Sequence, residues 1–79
     1  MPVVVNLDVV LAQRKVRSNE LAKAVGITES NLSLLKSGKV KGVRFSTIAA
    51  ICYYLDCTPG DILGYRRSED DMNPEAADA

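Results

Sequence analysis

Apolar residues recur at helical spacing along most of the chain. Leu7, Val10 and Leu11 fall at i, i+3 and i+4, which predicts an amphipathic helix from Leu7 to near Lys15, with Asn6 as its cap. Ser18 reads as the cap of a second helix running to about Val25. Gly26 follows its last apolar position, where a left-handed residue costs least. Thr28 then caps a third helix, about Glu29 to Ser37, which Gly38 ends in the same way. Ser46 reads as the cap of a fourth, with Ile48, Ile51, Cys52 and Leu55 at helical spacing. "DCTPGDIL" starts a short fifth helix: Thr58 as cap, Pro59 at the first helical position, Asp61 near the positive end. Two stretches break the helical pattern: "PVVV" is short and β-branched, a candidate strand, and "GYRR" is a candidate to return against it.

The second and third helices are linked by a spacing with a mechanical meaning. Ala22 lies four residues before Gly26, and Leu32 six after it. Two helices crossing steeply need a small residue at closest approach, hence Ala22. The tight turn between them needs a positive φ, hence Gly26. Leu21, Val25, Ile27, Leu32 and Leu35 fill the inward positions around that corner. These residues in one register describe a helix-turn-helix.

Charge changes the picture more than composition does. The chain has 79 residues, 47% hydrophobic and 25% charged, with zero formal net charge. That fits one small globular domain with a limited core. Its charge is unevenly placed. Residues 1–65 hold eight Lys and Arg against five Asp and Glu, while residues 66–79 hold two Arg against five acids. From Ser30 to Leu55 there is no acid, and Lys36, Lys39, Lys41 and Arg44 all fall in that span. A clustered patch of one sign attracts polyanions even when the total is neutral. The division expected is a domain over 1–67 and an acidic, disordered tail over 68–79.

Several classes are disfavoured. No apolar run approaches the roughly 20 residues of a membrane span, and the N-terminal "MPVVVNLDVV" lacks a basic n-region and a cleavage-site pattern. There is no histidine, no nucleophile beside a base, no glycine-rich phosphate loop and no metal-ligand cluster, so neither an enzyme nor a metal or other cofactor is expected. Cys52 and Cys57, five apart, read as buried reduced thiols, which suits a cytoplasmic location. Tyr53 and Tyr54 read as core and half-exposed helix surface; one of them, or Tyr65, is a candidate for a dimer interface.

"ELAKAVGITESNLSLLKSGK", followed by "RFSTIAAICYYLDCTPGDIL", resembles the phage-repressor and Cro-type helix-turn-helix family, also called XRE-like. The resemblance spans about Leu7 to Leu63 and includes the Leu-Ala pair opening helix 2, the turn glycine, the "SGK" after helix 3 and "LDCTPGDIL". It implies an all-α fold, a compact five-helix bundle with the helix-turn-helix as helices 2 and 3. The flanking "VVV" and "GYRR" resemble a short single-domain subgroup with a small sheet made by the termini. It also implies a transcriptional regulator that inserts helix 3 in the DNA major groove, as a homodimer on a two-fold site.

Carried over position by position, the resemblance makes Glu29, Ser30, Asn31, Ser33 and Leu34 the base-facing residues. Serine bonds either base edges or phosphate, Leu34 suits a thymine methyl, Asn31 suits adenine although it points more to the flank, and Glu29 either accepts from a cytosine amine or acts only through the helix dipole. Leu34 is open to two other readings, packing against helix 4 or a neighbour, and an isolated surface leucine. The phosphate-facing set is Arg17, Ser18, Asn19, Lys36, Ser37, Lys39, Lys41 and Arg44. Arg17 stands where the family often has a capping Ser or Thr, so either the helix starts one residue later at Ser18 or Arg17 is one more phosphate contact. The outward face of helix 3 has no Arg and no Gln, unlike strong base readers. That keeps a second reading open: a protein-interaction or antitoxin-like module with weak or non-specific DNA binding.

Overall fold

The computed structural model describes residues 3–72. Five helices run in chain order: α1 Leu7–Arg14, α2 Ser18–Val25, α3 Glu29–Lys36, α4 Phe45–Leu55 and α5 Pro59–Ile62. They are framed by two short strands, β1 Val3–Val5 and β2 Leu63–Tyr65, and followed by one 3-10 turn, Glu69–Met72. β1 and β2 pair antiparallel, with Val3 opposite Tyr65 and Val5 opposite Leu63. The return strand therefore begins one residue before "GYRR" and ends at Tyr65.

One hydrophobic cluster holds the bundle. Each helix lends it the residues its periodicity turns inward: Leu7, Val10 and Leu11 from α1, Leu21 and Ala22 from α2, Leu32 and Leu35 from α3, Ile48, Ile51 and Leu55 from α4, and Ile62 from α5. Leu21 and Ile51 are fully enclosed, and truncating such a side chain to alanine costs about 2–5 kcal/mol. Val25 and Ile27, expected inward, pack against the cluster half-buried.

The ends of α1 to α4 share one device, a left-handed residue, whereas the helix starts do not share one. At the end of α3, Lys39 N–H donates to Leu34 O at 3.0 Å and Gly38 N–H to Leu35 O at 3.1 Å, with Gly38 at φ 73°. The end of α4 repeats this, Cys57 to Cys52 and Asp56 to Tyr53, with Asp56 in the left-handed region at φ 52°. Both are Schellman corners. Gly26 turns α2 toward α3 at φ 77°.

At the starts, only part of the expected capping is present. Thr28 accepts from Asn31 N–H at 3.0 Å and caps α3. The Thr58 N–H and hydroxyl both donate to the Asp61 carboxylate, at 2.9 and 3.1 Å. Those two donors hold the Asp61 carboxyl below its usual range. Ser18 and Ser46 do not cap, and Asn6 holds the cap position of α1 through its backbone only. The Asn6 amide makes no cap bond; its nitrogen lies beside Gly64, on the sheet. α2 starts at Ser18 with Arg17 in the cap position. α4 starts at Phe45 with Arg44 in the cap position, so Ser46 is already helical.

The segment expected to be a tail begins with the 3-10 turn Glu69–Met72. Within the 3-10 turn, Asp71 accepts from Ser68 N–H at 2.9 Å and from the Tyr65 hydroxyl. That second bond raises the Tyr65 pKa. Residues 73–79 of the expected tail lie outside the described residues.

Candidate nucleic-acid interface

The Gly26 corner and the burial of Leu32 and Leu35 fix how α3 faces solvent. With those two leucines 1% and 5% exposed, Glu29, Ser30, Asn31, Ser33 and Leu34 all face outward. Leu34 is 45% exposed, so it stands on the surface and not in the core. The Thr28 bond to Asn31 N–H satisfies one of the free amides at the start of the helix. At its other end the Ser37 hydroxyl donates to Leu34 O at 3.0 Å. The result is a helix capped at its start, whose outer surface is of short polar side chains and one leucine.

The basic residues divide into two groups. Arg17, Lys39, Lys41 and Arg44 are exposed, and none makes an ion pair among the described residues. Lys36 is different. Its ammonium donates to Ser18 Oγ at 2.8 Å and lies 3.3 Å from an Asp8 carboxylate oxygen. Half-buried, it ties α3 to the starts of α1 and α2, and it takes up Ser18 as well. Asn19 keeps an exposed position at the start of α2, with its carbonyl oxygen accepting from Glu20 N–H at 2.9 Å.

Two shallow grooves flank α3. Asn31 and Arg44 line one together with Ile27, Val40, Val43 and Thr47. A residue expected to face bases and one expected to face phosphate thus share a surface. Lys36 and Ser37 line the other, against Val3, Val4 and Arg66. Arg66 joins the cations near the end of α3. By sequence alone it falls in the candidate return strand "GYRR", but nothing local shows that this strand carries it beside α3.

A helix-turn-helix with this spacing and surface has known counterparts. The Cro/C1-type HTH DNA-binding domain family matches residues 6–68. The chain belongs to that family. The domain is 56% identical over 70 residues to the uncharacterised HTH-type transcriptional regulator YozG of Bacillus subtilis (strain 168), covering 89% of this chain and 83% of that protein. It also superposes on the crystal structure of the transcriptional regulator VanUg with a TM-score of 0.68 at 34% identity, covering 85% of this chain and 88% of the other. A DNA-binding regulator is what this family comprises, and it is not an enzyme class.

Elsewhere in the helix-turn-helix domain, the expectations for Tyr53 and the two cysteines change and the one for Tyr54 holds. Tyr53 is not core: it is 90% exposed. Tyr54 is half out, its hydroxyl donating to Glu20 on α2, and that bond raises its pKa. Cys52 and Cys57 are free thiols but half-buried, not buried. Burial first, then Cys52 beside it, pushes the Cys57 thiol up. Among the described residues, no helix is long and apolar enough to cross a membrane.

Proposed function

We propose that the protein is a DNA-binding transcriptional regulator that lays α3 in the major groove and works as a homodimer on a two-fold site. The observation that carries this reading is the outward side of α3, exposed and mostly polar, with Arg44 sharing a groove with Asn31 and exposed Lys39 and Lys41 following the helix. A groove about 12 Å wide admits a helix, and short side chains let its backbone come near the base edges. Ser30 and Ser33 bond base edges or phosphate, Asn31 pairs with adenine, Leu34 meets a thymine methyl, and Glu29 accepts from a cytosine amine or complements the helix dipole. Because no Arg or Gln stands among these residues, discrimination rests on hydroxyls, bridging water and DNA shape.

Arg17, Lys39, Lys41 and Arg44 take phosphates, and the amide end of α2 at Ser18 and Asn19 adds a further anion contact. Lys36, held by Asp8 and Ser18, and Ser37, bonded to Leu34 O, shape the face instead of adding charge to it. The names of YozG and VanUg, both called transcriptional regulators, agree with this reading.

The test is the salt dependence of binding to a short duplex. Four phosphate contacts give a log–log slope of about −4 per subunit and about −7 for a dimer. A slope near zero would overturn the mechanism.

A further inference from the structure

α4 carries no charged residue from Phe45 to Leu55. Its inward side, Ile48, Ile51 and Leu55, is used by the core. On the other side Phe45, Ala49 and Tyr53 follow at four-residue steps, so they lie one above the other. The two rings are 92% and 90% exposed, and Ala49 between them is exposed as well. Scattered surface hydrophobes need no explanation. Two nearly bare rings, one turn to either side of a small residue on an uncharged helix, do.

We propose that this stripe is where a second copy of the chain packs, with Ala49 on the two-fold axis. A two-fold contact sets one patch against itself, so the patch must be self-complementary. An uncharged stripe meets its copy without repulsion, whereas a polyanion or a charged partner finds nothing on it to pair with. Its shape also suits its own copy. A residue on the axis meets its counterpart whatever the crossing angle, and alanine there lets two helices approach closely. Each copy's Phe45 and Tyr53 then lie over the other's helix on either side. A ring of this kind covers roughly 150–250 Å², so four rings with the small residues between them bury on the order of 1,000 Å², the threshold for a specific interface. A chain of 79 residues has a small core, and association adds to its buried surface. The surface deepens the homodimer proposed above and rests on that reading for its consequence at DNA. Since Arg44 directly precedes Phe45, pairing across α4 sets the spacing of the two basic loops.

The experiment is sedimentation of the full chain over a concentration series without DNA, with retention of a duplex too short for two subunits measured in parallel. The wild type should show a reversible monomer–dimer equilibrium. Ala49→Glu sets two carboxylates face to face and should weaken the dimer by at least about a hundredfold. Its helical circular dichroism should be unchanged, since the site is exposed and Glu is a good helix former. As a positive check, Ala49→Cys in a background of Cys52→Ser and Cys57→Ser should yield a covalent dimer on mild oxidation, while Ala24→Cys, exposed on α2, should not. A wild type that stays monomeric, or an Ala49→Glu variant that dimerises at full strength, overturns the proposal. Retention of the short duplex by a monomeric wild type would sink this surface and leave the DNA reading standing; a dimer that does not retain DNA would do the reverse.

Discussion

α3 and α4 are consecutive helices of one small bundle, and their inner sides are alike: Leu32 and Leu35 on one, Ile48, Ile51 and Leu55 on the other. Their outer sides are opposites. α3 presents Ser30, Ser33 and a single Leu34, with exposed cations nearby. α4 presents Phe45, Ala49 and Tyr53, with no charge along its length. The inner sides settle which way each helix faces. What remains outside is free to be chosen for a partner, and the two choices suit partners of different kinds: a polyanion for the first, an uncharged surface for the second.

The largest expected effect separates these two surfaces by charge. Replacing both Lys39 and Arg44 by alanine should weaken DNA binding roughly a hundredfold per subunit at 0.1 M salt, since each phosphate left without its cation costs roughly tenfold there. The weakening should be the same for all sequences, and the slope should shrink by about 2 per subunit. Dimerisation without DNA should be untouched. Equal weakening of both functions would show that the two outer sides are one interface, and the comparison would break.

Lys36 sharpens the α3 side. Although it lies in the same acid-free span as Lys39, its ammonium is held between Ser18 and Asp8. Lys36→Met should cost stability, up to about 1 kcal/mol for a pair still partly in water, with the salt slope unchanged. A slope reduced by about 1 would make Lys36 a phosphate contact and Asp8 only its resting partner.

How far the two outer sides are legible in the sequence also differs. α3 is legible because its polar residues alternate with two well-spaced leucines, so the inward direction fixes the outward one. In "FSTIAAICYYL" Ile48, Ile51 and Leu55 mark the inward side, but nearly every other position is apolar or small, so no polar face marks the outward one. Tyr53 and Tyr54, one step apart, exchange between core and surface without altering the pattern, which is why Tyr53 reads as core and stands outside. The glycine corners are legible because positive φ narrows the choice of residue. Caps are less so: a serine or asparagine in the right place says only that a cap is available. Ser18 is taken by Lys36, and Asn6 lies against Gly64. Arg66 is half legible: "GYRR" reads as a return strand, but its place beside α3 follows only from the strand pairing.

The two helices end in the same corner with different residues, which gives a smaller test of backbone cost alone. Gly38→Ala meets nothing within 4 Å, so its cost is the left-handed conformation, about 1 kcal/mol. Asp56→Gly removes that same cost from α4, and after the extra entropy of glycine should stabilise by at most about 1 kcal/mol. Denaturant melts of the two variants should therefore move in opposite directions. A destabilised Asp56→Gly would mean that the Asp56 side chain holds the α4 corner through interactions that outweigh the strain.

The smallest effect lies on the flank of α4 that is already occupied. Tyr54 donates to Glu20, which faces it from α2, and losing its proton would set two negative charges together; that is why its pKa is raised. The sign follows from linkage. A folded-state pKa above the unfolded value of about 10 means that the bond's contribution is complete below that pH and is lost as pH rises through the folded value. Ultraviolet titration of the tyrosines should show two phenols, those of Tyr54 and Tyr65, ionising later than an unfolded tyrosine, and Glu20→Gln should bring the Tyr54 phenol alone back toward the ordinary value. Tyr53→Phe should leave both late phenols in place, because Tyr53 stands on the bare stripe and Tyr54 on the fastened flank. Should Tyr53→Phe remove the late phenol that Glu20→Gln shifts, the two tyrosines would have exchanged places, and the surface assigned to a second copy would lose one of its two rings.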